Sequence, residues 1–186
     1  NVDVRSRRAG ERVRAGLTKL YERLHLKVNA AKTAVAPASR RKFLGYAFWY
    51  GSGGQVKCRV ADKALKTFKQ RIRQFTCRSG GRNLTEIAER LRAYMPGWKA
   101  YFQLAQTPNV FRELDKWIRH RLRAVQLKHW RRGTTMYREL KALGASETDA
   151  RQVAANSRRW WRNSRFLLNR AMPVAYFDRL GAPRLS

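Results

Sequence analysis

The sequence predicts an α+β fold, mainly α, in which a small β-containing segment is followed by helices to the end of the chain. Two observations carry this. Strand-like runs are confined to residues 1–60, where Gly51-Ser52-Gly53-Gly54 joins Phe43–Tyr50 to Gln55–Val60 in the manner of a hairpin. From Ala61 onward apolar residues recur at steps of three and four, the period of a helix with one buried face. A hydrophobic content of 44% with 11% aromatics over 186 residues is enough for a packed core and argues against disorder throughout.

Asn1–Arg5 reads as a strand, and Ala9, Val13, Leu17, Leu20 and Leu24 then step along one face of an amphipathic helix. Leu26–Val28 and Thr33–Val35 are further strand candidates before the hairpin. In Ala61–Thr76 the stripe Ala61, Leu65, Phe68, Ile72 and Phe75 is apolar, and Lys66, Lys69 and Arg73 fall opposite it. Asn83 with Glu86 three residues on fits a capping box, opening a helix through Leu84, Ile87 and Leu91 that is expected to break at Pro96-Gly97. Gly97 is expected to permit a helix junction or a close backbone approach.

After Pro108 the strongest helical pattern runs to about Arg132. Phe111, Leu114, Ile118, Leu122 and Val125 cluster on one side, and Arg112, Lys116, Arg119 and Arg123 nearly opposite. Thr135–Leu143 is a short helix stopped by Gly144, and a Trp/Arg-rich helix is expected around Ala150–Arg170 before Pro173. Three sections follow: residues 1–60, 61–132 and 133–186.

The formal net charge is +30, with 42 Lys and Arg against 12 Asp and Glu and a pI near 11.6. Such self-repulsion is best tolerated beside a polyanion, so nucleic acid is the expected partner. The three sections carry +11, +13 and +6, so no terminal arm explains the excess, and it is largest over residues 61–132. No apolar run reaches the ~20 residues of a membrane span and no secretory signal opens the chain, which predicts a cytoplasmic protein without a membrane partner. Cys58 and Cys77 form no Cys-x-x-Cys pair, so neither a disulfide framework nor a zinc site is suggested. The chain begins at Asn1 rather than Met and is expected to be part of a longer protein.

Leu26-Lys27-Val28-Asn29, then Lys32-Thr33, then Phe43-Leu44-Gly45-Tyr46 resembles the end of a reverse-transcriptase palm in order and spacing. From Phe68 to Lys128 the chain resembles the maturase-specific region of group II intron proteins, with Leu91, Gly97-Trp98, Tyr101-Phe102, Phe111, Leu114, Asp115, Trp117-Ile118, Arg121 and Leu122 as markers. Trp161-Arg162-x-Ser164, Asn169, Ala171-Met172-Pro173, Tyr176-Phe177 and Leu180-Gly181 resemble the end of bacterial, class C-like members. The resemblance implies a reverse-transcriptase palm remnant at residues 1–60, a helical thumb and maturase region at 61–132, and an appendage at 133–186 that also contacts nucleic acid. It implies group II intron RNA as partner, and for the intact parent an RNA template/DNA primer duplex, RNA-directed DNA synthesis and help in splicing. A homodimer is compatible with it. The family's Tyr-Ala-Asp-Asp pair, which holds two metal ions for phosphoryl transfer, is absent from this sequence. This chain is therefore expected to bind rather than polymerise, with Mg2+ belonging to the intact parent and no cofactor, catalytic residue or metal ligand here. The rival reading is a free-standing architectural RNA- or DNA-binding protein.

The nucleic-acid-binding residues read from the sequence are Lys66, Lys69, Arg73, Arg112, Lys116, Arg119, Arg123, Arg158, Arg159 and Arg162. Two repeated basic stripes with too few acids to neutralise them favour phosphate contact over a merely solvated face, although Asp115 could pair with Arg119. Arg121 lies beside the apolar stripe and is expected to have a buried or half-buried partner rather than RNA. The Arg158-Arg159-Trp160-Trp161-Arg162 cluster suits either an RNA grip or helix packing, and Trp98, Tyr101 and Phe102 suit core packing ahead of base stacking. Lys32 matches a family position proposed as a general acid, but in isolation it reads as a turn lysine.

Overall fold

A computed structural model describes residues 2–165 and 167–186. Its elements are α1 (Arg7–Arg23), β1 (Lys42–Phe43), β2 (Tyr46–Tyr50), β3 (Val56–Val60), α2 (Asp62–Phe75), α3 (Leu84–Tyr101) and α4 (Pro108–Trp130). After these come α5 (Gly133–Ala142), α6 (Glu147–Ala155), α7 (Trp160–Asn163), α8 (Leu168–Ala171) and α9 (Val174–Arg179). The fold is thus mainly helical with one small antiparallel sheet, ordered β1-β2-β3.

The sheet is built by turns. Leu44 (φ 48°) and Gly45 (φ 80°) form the two-residue corner between β1 and β2, both at the positive φ that a type I′ hairpin requires. A Cβ on Gly45 would meet the Phe102 ring at 3.1 Å, so the glycine also lets α3 approach the corner. Gly53 and Gly54, at φ 83° and 75°, turn the chain into β3 as the sequence predicts.

Three expected strands do not form. Asn1 lies outside the described residues, and Val2–Val4, Leu26–Val28 and Thr33–Val35 join no ladder, since no neighbouring strand takes their backbone groups. Between them Lys32 N–H bonds both Oδ1 and the carbonyl of Asn29 at 3.1 Å, the expected turn. Leu20 and Tyr21 on α1, and Leu24 just after it, remain exposed.

The helices follow their apolar stripes. Asn83 caps α3, accepting Glu86 N–H at 2.9 Å while its amide bonds the Glu86 carboxylate at 3.2 Å. The expected break at Pro96-Gly97 is absent and α3 continues to Tyr101. Pro96 costs one backbone bond, but buried Leu91, Met95 and Phe102 and half-buried Trp98 hold the helix on both sides of it. Gly97 makes no close approach, since a Cβ there would find nothing within 4 Å. Phe68 packs on Trp98 at 4.2 Å and on Tyr94 at 5.8 Å, joining α2 to α3. Tyr101 is exposed and its hydroxyl donates to Leu44 carbonyl at 2.9 Å.

The single helix expected over 150–170 is instead α6, α7 and the start of α8. Asn163, buried, donates its amide to Asn156 carbonyl at 2.9 Å and so fixes the bend after α6. One cluster of buried side chains runs from Phe68 through Leu91, Ile118 and Leu140 to Phe177 and Leu185. Asp115, instead of pairing with Arg119, is buried and receives Leu185 N–H at 3.0 Å and Ser186 N–H at 2.9 Å. The C-terminal residues are thereby laid across α4.

Candidate nucleic-acid interface

Where α2 meets α4, cations from both helices gather round one ring. Lys69 Nζ lies 5.9 Å, Arg73 Cζ 5.5 Å and Arg121 Cζ 5.4 Å from the centre of Trp117. Arg121 is held rigidly: its Nε donates to Thr76 Oγ1 at 2.6 Å and its Nη2 to Thr76 carbonyl at 3.2 Å. This is the buried partner that its position beside the apolar stripe predicts. Burial, with the charges of Arg73 and Arg78 beside it, pushes the Arg121 guanidinium below its usual value, as expected of crowded cations.

The strip continues past the end of α2. Arg78 Cζ lies 5.7 Å and Lys128 Nζ 4.3 Å from the centre of Trp160. Trp117, Arg121 and Lys128 are four and seven residues apart, so α4 presents them on one side. Among the described residues no carboxylate forms an ion pair with Lys69, Arg73, Arg78, Arg121 or Lys128. Five positive charges, two indole faces and no neutralising acid make a surface suited to a polyanion.

The sequence-derived residues divide. Lys69 and Arg73 are in this strip, and Lys66 is exposed on the same helix. The second basic stripe, on α4, does not persist as one surface. Arg112 is exposed, Lys116 pairs with Glu113 at 2.7 Å, and Arg119 is half-buried. Arg123 is not a surface residue: only 7% exposed, it donates from Nε to Met172 carbonyl at 3.0 Å and lies 5.5 Å over the Phe177 ring. The chain after α8 folds over that side of α4, a cover that no helical projection can anticipate. Burial, helped by Arg119, pushes the Arg123 guanidinium down to about 10, still charged at neutral pH. Arg123→Gln, too short to reach Met172, is expected to cost ~1–3 kcal/mol of stability by leaving that carbonyl unpaired. RNA affinity should stay within about threefold, since a buried charge acts on phosphates only from a distance. Denaturation beside RNA titration checks both, and a large affinity loss at unchanged stability would return Arg123 to the interface.

The sequence reading missed Arg78, Arg121 and Lys128 as partners of two tryptophans. The common side of 117, 121 and 128 was available from helical period alone, whereas Arg78 follows the end of α2 and has no period to reveal it.

Arg158, Arg159 and Arg162 are all exposed, so the cluster around α7 is not a buried packing face. Its aromatics differ: Trp160 is half-buried, and Trp161 stacks on His120 with ring centres 3.7 Å apart. His120 Nε2–H donates to Trp161 carbonyl at 2.9 Å. Burial lowers the His120 pKa below 6.5, with Arg165, Arg123 and Arg121 pushing the same way, and burial lowers His129 likewise. Folded values below the unfolded value mean that the unfolded chain binds protons first. The stability from these two neutral rings is complete above pH 6.5 and is lost as pH falls through their folded values. Melting temperature is expected to drop between about pH 7 and pH 5, and less so in His120→Gln. An identical drop in that variant would contradict a role for His120.

Residues 65–144 match the family model described as the group II intron, maturase-specific domain. The match covers less than half of the chain and supports a maturase C-terminal fragment. No curated protein matches the chain. The matched stretch runs from within α2 to just past α5, and so contains Trp117 and all five cations of the strip, whereas Trp160 lies beyond it. Among the described residues no three His, Cys, Asp or Glu side chains gather as a metal site. No described helix is long and apolar enough to cross a membrane.

Proposed function

We propose that this chain binds group II intron RNA, as the C-terminal part of a maturase, and that the strip over Trp117 and Trp160 is its principal contact. The observation that carries this reading is the convergence of Lys69, Arg73, Arg78, Arg121 and Lys128 without a paired acid, inside or beside a maturase-specific domain. Guanidinium and ammonium groups in a row engage phosphates whatever the sequence, so recognition here rests on backbone charge and on the shape of folded RNA.

The parent is a reverse transcriptase in this reading, in which β1–β3 belong to the end of a palm and α2–α4 to a thumb that also grips template and primer. The Phe-Leu-Gly corner and the maturase-specific domain in one chain support it. Binding should weaken steeply with salt, by a slope of ~0.7–0.9 in log affinity against log salt for each phosphate neutralised. A titration with a structured intron RNA measures the slope. An affinity that does not move with salt would count against the proposal.

A further inference from the structure

A second cationic site lies outside the strip and outside the maturase-specific domain. The end of α6, the bend after it and α7 enclose a cleft of about 580 Å³ lined by Gln152, Asn156, Arg159, Arg162, Arg165 and Leu167, with Asn163 at its base. Its walls are fixed from within. The buried Asn163 amide bonds Asn156 carbonyl at 2.9 Å, Arg159 N–H bonds the same carbonyl at 2.8 Å, and buried Ser164 donates to Trp161 carbonyl at 2.8 Å. Among the described residues, none of the three arginines bonds a carboxylate. Three unneutralised guanidiniums facing one concavity demand an anion, and their planar forks suit phosphate oxygens.

A bare phosphate would occupy little of this space, which falls within the ~300–1,000 Å³ of pockets that take whole small ligands. The remaining wall offers Gln152 and Asn156; Asn156 gives one amide N–H to Gln152 carbonyl at 3.1 Å, and its amide oxygen with the Gln152 amide can meet the edge of a base. Duplex RNA keeps its bases stacked and paired, whereas bulges and single strands present them singly. We propose that this cleft holds one unstacked nucleotide of a bulged or single-stranded RNA segment, its phosphate on Arg159, Arg162 and Arg165 and its base edge on Gln152 and Asn156. The inference rests on the RNA-binding reading above and adds a selectivity for unpaired nucleotides that the open strip lacks.

The test uses the full chain with two RNA hairpins, one fully paired and one carrying a single bulged 2-aminopurine. The wild type should bind the bulged hairpin about tenfold more tightly, the scale of one additional charge-assisted hydrogen bond, and should change the 2-aminopurine emission. Arg162→Gln/Arg165→Gln should erase the preference and the emission change. Arg162→Lys/Arg165→Lys, which keeps the charge, should weaken both through loss of the fork geometry. Gln152→Ala should reduce the preference without altering affinity for the paired hairpin. Variants of the strip should lose affinity for both hairpins and keep their ratio, so failure of the strip and failure of the cleft are separable. Equal wild-type affinity for the two hairpins, a preference intact in both arginine double variants, or a bulge preference found only with DNA hairpins would overturn the proposal.

Discussion

Phe68→Ala is expected to lower stability by ~3–5 kcal/mol, measured by denaturant unfolding. Phe68 is fully buried, with the Trp98 ring centre 4.2 Å and that of Tyr94 5.8 Å away. Those neighbours cannot collapse into the space it would leave, because Trp98 also packs on Phe102 at 4.8 Å and on Phe111 at 6.0 Å, and Tyr94 on Phe75 at 5.6 Å. A cavity therefore remains, and its cost adds to the lost burial. The loss is a large part of the ~5–15 kcal/mol that ordinarily holds a domain together. RNA binding should fall with it, because α2 carries Lys69 and Arg73. A loss below about 1 kcal/mol would show that α2 is not anchored through this residue.

Much of the helical part was legible because period and caps act locally. The apolar stripe of α2, the Asn83–Glu86 cap, the long α4 and the Gly144 stop at φ 81° all follow from residues within a turn or two of one another. The errors lie where distant parts decide. A strand such as Thr33–Val35 needs a neighbour to pair with, Pro96 is tolerated because packing on both sides outweighs one backbone bond, and the bend after α6 depends on the Asn163 amide.

The interface shows the same division. The stripe on α2 puts Lys69 and Arg73 together and the structure sets both beside Trp117, but a helical projection also put Arg123 on the surface, where Met172 and Phe177 in fact cover it. Asp115 was read as a partner for Arg119, yet its acceptors are claimed by the backbone of Leu185 and Ser186, seventy residues later. Trp117 and Trp160 became parts of a site only once the end of α2 was placed against α4.

The second large effect concerns that strip. Replacing Lys69, Arg73, Arg78 and Lys128 together by Gln removes four cations and leaves Arg121, whose bonds to Thr76 tie it to the fold. Each cation that meets a phosphate displaces a counterion, so the four together are worth about a thousandfold in affinity near 0.1 M salt. The fold should survive: cation–ring contacts at partly exposed positions contribute ~0.5–1 kcal/mol each, and relief of repulsion among unpaired charges offsets part of that loss. Thermal melting of the variant verifies this before any binding is read.

The most direct measurement is the salt dependence of affinity for a structured group II intron RNA, wild type beside this fourfold variant. A steep wild-type slope, shallower by about three in the variant, is the expected result. Equal slopes and equal affinities in a variant that melts like the wild type would show that the strip over Trp117 and Trp160 does not bind the RNA.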